Sequence, residues 1–246
     1  MTDDAIILIP ARMGSSRLPG KPLADIAGIP MIVHVLRRAE EADAGPVLVA
    51  AAEEAIADAV RAAGGEAVLT DPDLPSGSDR IAAALAAHDP QRRYGIVINL
   101  QGDLPTMDPA DIRRCAEALR NTGADIATLA AEIRDPEEAA NPNVVKALAP
   151  LDRESVALAE DFVRELPEDA EGPFFHHVGI YAYRRPALER FVALPPSERE
   201  QARRLEQMRA LDNGMTIAVA RVEKAPFGVD APEDLERARA ILGGGA

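Results

Sequence analysis

The residues best suited to chemistry lie in one loop near the start of the sequence, residues 10–22. This loop carries three cations, two hydroxyls and two glycines: Arg12, Arg17, Lys21, Ser15, Ser16, Gly14 and Gly20. Backbone N–H groups of such a loop can surround an anion, and cationic side chains can then neutralise it. We therefore predict that the loop holds the phosphates of a nucleoside triphosphate.

Two familiar phosphate-binding motifs do not describe this loop. A Walker A loop has four residues between its glycines, followed by Lys and then Ser or Thr. Here five residues separate Gly14 from Gly20, and Pro22 takes the place of the magnesium-binding hydroxyl. The glycine fingerprint of dinucleotide-binding folds is also absent. The alternative interpretation is a surface loop whose cations are merely solvated.

Composition excludes several classes of protein. The 246 residues can bury a large core, and their net charge of −14 argues against a nucleic-acid partner, which needs a basic surface. No apolar run is long enough to cross a bilayer, and nothing at the start resembles a signal peptide. We therefore expect a cytoplasmic protein without a membrane partner. The single cysteine, Cys115, cannot form an internal disulfide and is expected in the core.

The elements that must position the loop alternate between strand and helix. The predicted strands and helices of this half span residues 5–9, 31–42, 46–51, 53–63, 66–69, 78–88, 95–100 and, after an Asp108 N-cap, 109–121. Such alternation predicts an α/β fold with an open, doubly wound, mostly parallel (Rossmann-like) sheet. Residues 95–100 are the most apolar run, which indicates a central strand. Ligands bind at the carboxyl ends of such strands, where residues 10–22 and 101–103 both lie.

The second half has a different pattern, typical of a smaller mixed sheet. Strands are predicted at residues 125–131, 144–148, 155–158, 177–183 and 215–220, and a last helix at 232–240. Ser197 and Glu200 form a capping-box pattern that opens a helix ending near residues 213–214. Residues 161–173 are acidic and contain proline, and we predict a mobile surface segment there.

A series of short motifs, each occurring once, extends along nearly the whole sequence. They are Pro-Ala-Arg and Ser-Arg-Leu-Pro-Gly-Lys-Pro within residues 10–22, Ser-Gly-Ser-Asp-Arg (76–80), Asn-Leu-Gln-Gly-Asp (99–103), Asn-Pro-Asn-Val-Val-Lys (141–146), His-Val-Gly-Ile-Tyr-Ala-Tyr-Arg (177–184), Leu-Glu-Gln-Met-Arg (205–209) and Gly-Val-Asp-Ala-Pro-Glu-Asp-Leu-Glu (228–236). Together they resemble the motifs of sugar-activating nucleotidyltransferases. Among these the sequence is most similar to the CMP-KDO synthetases, the 3-deoxy-manno-octulosonate cytidylyltransferases.

The resemblance implies one nucleotidyltransferase domain over residues 1–246. It implies a CTP-binding half (1–124), a sugar-binding and dimerisation subregion (125–220), and a metal-binding turn and helix that return to the core (221–246). The implied reaction transfers CMP from CTP to the anomeric hydroxyl of 3-deoxy-D-manno-octulosonate (KDO). Its products are CMP-KDO, for lipopolysaccharide biosynthesis, and diphosphate. A Mg²⁺ cofactor and a homodimer are implied in the same way.

The resemblance also implies roles for individual residues. Arg12, Arg17 and Lys21 would stabilise charge at the α-phosphorus, and Asp103 and Asp230 would bind Mg²⁺. The implied nucleotide-binding set is Pro10, Ala11, Arg12, Ser15, Ser16, Lys21, Ser76, Gly77, Arg80 and Gln101. The implied sugar-binding set is Gln101, His177, Tyr181, Glu206 and Gln207.

Plainer interpretations of these residues remain open at this point. Asp230 lies just before Pro232 and Glu233 and could instead cap a helix. Arg80 could form a surface salt bridge, and Glu206 could be a solvated charge. His177 and Tyr181 could be core residues; four apart on a strand, they should share one face.

The sequence departs from the family pattern in two places that matter. Leu104 stands where the family usually has Glu after Gln-Gly-Asp, and the segment between Leu158 and Phe174 departs from a Tyr-Phe-Ser-Arg motif whose Arg helps to hold the acidic sugar. Arg164 could replace that Arg, although the segment is acidic. Two alternatives therefore stay open: a cytidylyltransferase for another acidic sugar, or a CTP-binding homologue without activity.

Overall fold

A computed structural model describes residues 4–15, 17–167 and 170–244. Its strands are β1 (Ala5–Ala11), β2 (Asp25–Ile26), β3 (Ile29–Pro30), β4 (Val47–Ala51), β5 (Ala67–Leu69), β6 (Ile96–Leu100), β7 (Ile126–Ile133), β8 (Lys146–Leu148), β9 (Val156–Leu158), β10 (Asp161–Val163), β11 (Phe174–Arg184) and β12 (Ile217–Val222). Its helices are α1 (Met31–Glu41), α2 (Glu54–Ala62), α3 (Gly77–His88), α4 (Pro109–Thr122), α5 (Pro136–Ala140), α6 (Arg185–Ala193), α7 (Glu198–Arg203), α8 (Met208–Asp212) and α9 (Pro232–Gly243). The chain divides into two compact units, Met1–Arg113 with Pro226–Ala246, and Arg114–Ala225.

The first unit is built on parallel strands in the order β5-β4-β1-β6. All five residues of β6 are buried, in keeping with its apolar sequence. After β1 the chain passes to β4 and β5 on one side, and then returns to β6 on the other. This reversal leaves a crevice at the carboxyl ends of β1 and β6. The predicted parallel, doubly wound arrangement is confirmed.

The C-terminal segment returns to the first unit through a small apolar cluster. Helix α9 and the β2–β3 hairpin share a core that contains Ile26, Met31, Val229, Leu235 and Ala238. Hydrogen bonds fix the approach: Val229 N donates to the Asp103 carbonyl at 2.9 Å, and Thr106 Oγ1 both donates to the Phe227 carbonyl and accepts the Phe227 N–H, each at 3.0 Å. Burial of apolar surface at this cluster thus places Asp230 beside the end of β6.

The second unit contains a mixed sheet with the order β11-β7-β12-β9. Strands β7 and β12 are parallel, whereas β11 runs antiparallel to β7 and β9 antiparallel to β12. Strand β8 pairs with β11, and β10 pairs with β8. The smaller mixed sheet predicted for this half is confirmed.

The prediction of a mobile segment over residues 161–173 is wrong for its first part. Residues 161–163 form β10, and Phe162 is fully buried. The acidic Asp161 is compensated by Arg203, whose Nη1 lies 2.8 Å from Oδ1. An apolar side chain and an ion pair therefore anchor a stretch that composition alone marks as solvated. The predictions for residues 168 and 169 lie outside the described residues.

The single helix predicted from Ser197 to residues 213–214 is also wrong. The capping box of Ser197 and Glu200 is present, but α7 ends at Arg203. Arg204 has a left-handed backbone with φ of 54°, and α8 begins only at Met208. The break turns the chain so that Leu205 and Met208 are both buried. In the part of the chain that the structure describes, no helix is long and apolar enough to span a membrane.

Candidate active site

A cleft of about 380 Å³ opens at the carboxyl ends of β1 and β6. Its lining includes the predicted residues Pro10, Ala11, Arg12, Ser15, Arg17, Lys21, Ser76, Gly77, Arg80, Gln101 and Asp103. Residues far apart in the sequence thus meet around one concave surface. Ser16 belongs to the same predicted set but lies outside the described residues.

Lys21 joins the two predicted metal-binding aspartates. Its Nζ donates to Asp103 Oδ2 at 2.7 Å, to Asp230 Oδ1 at 3.1 Å and to the Val229 carbonyl at 3.1 Å. Burial alone would lower the pKa of Lys21, but both carboxylates oppose this and the pKa is raised. The ammonium therefore stays charged. Arg17 adds an exposed ion pair to Asp230 at 3.2 Å.

Asp230 is not the cap of α9. The carboxylate that accepts hydrogen bonds at this helix start is Asp234 Oδ2, which receives the N–H of Asp230 at 3.0 Å and that of Ala231 at 2.9 Å. The Asp230 side chain instead points to Lys21 and Arg17. The helix-cap interpretation is wrong, and the Asp230 carboxylate faces a cation.

The donor set of Asp103 and Asp230 fits a magnesium ion. Two carboxylates converge on one cationic position, now taken by the Lys21 ammonium. Across the described ranges, no group of three or more His, Cys, Asp or Glu side chains is arranged to hold a metal. Mg²⁺ characteristically takes one or two carboxylates and completes its shell with phosphate oxygens and water. Asp103 and Asp230 match that donor set.

The start of the loop is anchored by a residue that the sequence analysis missed. Both carboxylate oxygens of Glu53 accept the N–H of Met13, at 3.2 and 3.0 Å. Farther along, Ser15 Oγ accepts the N–H of Leu18 at 3.3 Å. Glu53 lies two residues beyond the end of β4, so its place near a carboxyl end of the sheet was the signal that could have identified it.

Arg80 is buried, so the surface salt bridge suggested as an alternative is wrong. Its Nη1 donates to Thr70 Oγ1 at 2.6 Å and to the Asp71 carbonyl at 2.9 Å. Burial lowers the pKa of Arg80. Ser76 caps α3, because its Oγ accepts the N–H of Asp79 at 3.2 Å. These bonds fix the loop that forms one wall of the cleft.

The other predicted sugar-binding residues belong to the second unit, where His177 and Tyr181 share one face of β11. Their ring centroids lie 5.6 Å apart, which confirms the same-face prediction. His177 is buried, and its Nε2 lies 3.0 Å from Thr128 Oγ1. Burial, the largest cause, raises the pKa of Tyr181, so its phenol remains protonated. Neighbouring His176 contacts Glu138 at 2.7 Å.

Glu206 and Gln207 lie in the connection between α7 and α8. Gln207 is buried, and its amide nitrogen has no hydrogen-bond partner among the described residues. A buried amide donor without a partner costs free energy, which is typical of a group that meets a ligand. Glu206 is partly buried and lies 3.9 Å from Arg209, so it is not a fully solvated charge.

Comparison with known proteins assigns the sequence to a family. The model of the family described as cytidylyltransferase matches residues 6–217. The chain belongs to the cytidylyltransferase family. A 3-deoxy-manno-octulosonate cytidylyltransferase of Parvibaculum lavamentivorans is 61% identical over 237 residues, which cover 96% of this chain and 92% of that protein. The 3-deoxy-manno-octulosonate cytidylyltransferase of Rhodospirillum centenum is 61% identical over 240 residues, which cover 96% of this chain and 93% of that protein.

Solved structures agree with this membership. A structure of CMP:2-keto-3-deoxy-manno-octonic acid synthetase complexed with CTP superposes with a TM-score of 0.89. It is 40% identical to this cytidylyltransferase and covers 98% of this chain and 99% of its own. A nucleotidyl transferase from Methanothermobacter thermautotroptrophicus, at 15% identity and a TM-score of 0.63, shares the fold.

Leu104 explains how this cytidylyltransferase accommodates a departure from the family motif. The side chain is buried, and a Cβ placed on Gly228 would lie 3.4 Å from Leu104 Cδ2. An apolar residue here packs against the returning C-terminal segment. Arg164, in the segment that departs from the family motif, donates to the carbonyls of Arg203, Pro142 and Arg204. Its guanidinium fixes loops of the second unit.

Gly102→Ala is expected to destabilise this cytidylyltransferase by about 1–3 kcal/mol. A Cβ at this position would lie 2.9 Å from the Pro10 carbonyl oxygen, so the ends of β1 and β6 would have to separate. Gly14→Ala is the matched control in the same cleft, since nothing lies within 4 Å of its added Cβ. We expect it to change the free energy of unfolding by less than about 0.5 kcal/mol. Urea denaturation measures both, and equal costs would contradict the close approach.

His177 is expected to make the stability of the protein sensitive to acid. Burial and the neighbouring His176 lower the pKa of His177 to about 3, whereas an unfolded histidine has a pKa of about 6.5. Between these values the unfolded chain binds a proton that the folded ring does not, so stability falls as pH falls. The free-energy difference between wild type and His177→Gln should shrink by up to about 1.4 kcal/mol per pH unit below 6.5. Urea denaturation at pH 7, 6 and 5 measures it, and a constant difference would contradict the buried neutral ring.

Proposed function

We propose that this cytidylyltransferase transfers the CMP group of CTP to the anomeric hydroxyl of KDO and releases diphosphate. The observation that carries the proposal is the 61% identity, over 96% of the chain, to the enzyme of Parvibaculum lavamentivorans whose name gives that reaction. The cleft at the ends of β1 and β6 supports it, because it gathers the cations that a triphosphate requires. The product would enter lipopolysaccharide biosynthesis.

In this proposal, the hydroxyl oxygen bonds to the α-phosphorus as the bond to the leaving diphosphate breaks. Negative charge spreads over the phosphate oxygens during this displacement, so catalysis depends on position and on cationic stabilisation. Arg12, Arg17 and Lys21 line the cleft and would supply that charge. Guanidinium groups can donate two parallel hydrogen bonds to phosphate oxygens, which also fixes orientation.

Asp103 and Asp230 would hold Mg²⁺ in the working enzyme. The ion would supply further positive charge to the phosphate oxygens of CTP. Lys21, which now bonds to both carboxylates, would then be free to contact phosphate. Pro10, Ala11, Ser15, Ser16, Ser76, Gly77, Arg80 and Gln101 complete the proposed nucleotide-binding set.

The sugar would be recognised by Gln101, His177, Tyr181, Glu206 and Gln207. Gln207 is the best supported of these, because its buried amide nitrogen lacks a partner among the described residues. We also propose a homodimer located in the cytoplasm. Sedimentation velocity tests the dimer, and a single species of monomer mass at micromolar concentration would exclude it.

Diphosphate release measures the proposed activity directly. The assay contains CTP, Mg²⁺ and either KDO, another sugar acid such as N-acetylneuraminate, or no sugar. Among these reactions, we expect diphosphate release only in the one that contains KDO. Release only with another acid would identify a different cytidylyltransferase. Retained CTP binding in calorimetry, without release for any sugar, would indicate a CTP-binding homologue that has lost catalysis.

A further inference from the structure

The hydroxyl of Thr128 sits at the centre of a small polar cluster in the second unit. Thr128 is fully buried, on β7 opposite the irregular part of β11. Its Oγ1 lies 2.7 Å from the Ile180 carbonyl, 3.1 Å from the Val178 carbonyl and 3.0 Å from His177 Nε2. One hydroxyl therefore contacts two carbonyl oxygens and one imidazole nitrogen.

We propose that Thr128 is a positioning residue that holds His177 as the neutral tautomer with its hydrogen on Nε2. The inference rests on the proposed function in one respect, the sugar as the ligand of His177. In this tautomer the other ring nitrogen, Nδ1, carries a lone pair. It can then accept a hydrogen bond from a hydroxyl group of the sugar.

A count of hydrogens determines the direction of each bond. A threonine hydroxyl has one hydrogen, and a carbonyl oxygen can only accept. The Ile180 carbonyl oxygen can lie as close as 2.7 Å to Oγ1 only if Oγ1 donates a hydrogen bond to it, because two lone pairs at that distance repel. The hydrogen of Thr128 is thus committed to the Ile180 carbonyl. The contact to His177 then requires Nε2 to donate to Oγ1.

The surroundings keep the ring neutral and in one orientation. Phe162 packs edge-on against His177, with ring centroids 5.0 Å apart. The Tyr181 ring also contacts His177, with ring centroids 5.6 Å apart. Burial lowers the pKa of His177 to about 3. A neutral imidazole with a hydrogen on Nε2 must be unprotonated at Nδ1. No described residue forms a hydrogen bond with Nδ1.

The tautomer determines which group of an acidic sugar can face this histidine. A lone pair at Nδ1 attracts a hydroxyl hydrogen and repels a carboxylate oxygen. His177 would therefore recognise a hydroxyl of the substrate, and its carboxylate would bind elsewhere. A histidine with the opposite tautomer, or a protonated one, would favour the carboxylate instead.

Nitrogen NMR of the substrate-free protein tests the tautomer independently of activity. The protein is labelled with ¹⁵N-histidine, and two-bond ¹H–¹⁵N correlations are recorded between pH 6 and 8, with His177→Gln used for assignment. We expect one protonated nitrogen, Nε2, and an unprotonated Nδ1 throughout. A hydrogen on Nδ1, or a doubly protonated ring in this range, would overturn the proposal. Because no sugar is present, failure of the proposed function would leave this result unaffected.

Two substitutions of Thr128 test the positioning role. Thr128→Val keeps the shape but removes the acceptor for Nε2, whereas Thr128→Ser retains it. We expect the valine variant to show mixed tautomers and a KM for KDO raised roughly five- to tenfold, with the KM for CTP unchanged. The serine variant should restore the single tautomer and the wild-type KM. If the valine variant fails to fold, the wild-type spectrum and the serine variant decide. A valine variant with one tautomer and an unchanged KM would contradict the proposal.

Discussion

Asp103→Asn is expected to reduce kcat/KM for CTP by roughly 10²–10³-fold, the cost of removing one charged group from a phosphoryl-transfer site. Asparagine has nearly the same shape, so the change removes a charge and little else. Asp103 Oδ2 lies 2.7 Å from Lys21 Nζ, and the same carboxylate is the first proposed ligand of Mg²⁺. Diphosphate release at saturating Mg²⁺ measures the effect.

Asp58→Asn is the matched control for this substitution. Asp58 lies on α2, is largely exposed, and lies 3.4 Å from Arg61 Nη1. An exposed pair of this kind contributes little free energy, so the variant should turn over at the wild-type rate. If Asp103→Asn retained turnover within about threefold of wild type at saturating Mg²⁺, the metal assignment would be excluded.

Lys21→Met is expected to lower both catalysis and the stability of the substrate-free protein. The substitution leaves Asp103 and Asp230 facing the same position with no cation between them. The two carboxylates then repel each other. The loss of the partly buried Lys21 ammonium should lower the free energy of unfolding by about 1–3 kcal/mol, or the Tm by roughly 3–8 °C. Turnover should fall by roughly 10²-fold or more, because a cation is lost from the phosphate site.

The distinguishing result for Lys21→Met is its response to Mg²⁺. A divalent cation can occupy the position that the ammonium has left, so Mg²⁺ should raise the Tm of the variant more than that of wild type. Thermal unfolding at increasing Mg²⁺, without CTP, measures this difference. Lys224→Met, at an exposed site, is the control and should behave as wild type. Equal responses of all three proteins would show that Lys21 does not compete with a cation.

The parallel half of the fold could be predicted because each of its elements has a local signal. Buried strands such as β6 are continuous apolar runs, and each helix shows one apolar face. The loop of residues 10–22 and Asp103 could be placed together because both follow such strands. Sequence rules therefore locate a site when its residues lie at the ends of regular elements.

Other features depend on contacts that no local pattern reveals. Residues 161–163 form a strand because Phe162 is buried and Asp161 forms an ion pair with Arg203. Arg203 is far from Asp161 in the sequence. The role of Asp230 could not be decided from its place before a helix, since that place also suits an N-cap. Only the structure shows that Asp234 caps the helix and that Asp230 contacts Lys21.

The irregularity in β11 sets a rule for how this strand can change in length. Val178 pairs with Leu129 and Tyr181 pairs with Thr128, so residues 179 and 180 are two extra residues on one strand. Side chains alternate between faces, and an even insertion preserves that alternation. Loss of one residue at 179 or 180 would leave a single extra residue opposite β7, which is the count of an ordinary β-bulge, and loss of both would restore regular pairing. A deletion at 179 or 180 should therefore destabilise the protein less than a single deletion elsewhere in β11, where the register itself would shift, and urea denaturation of the deletion variants measures the difference.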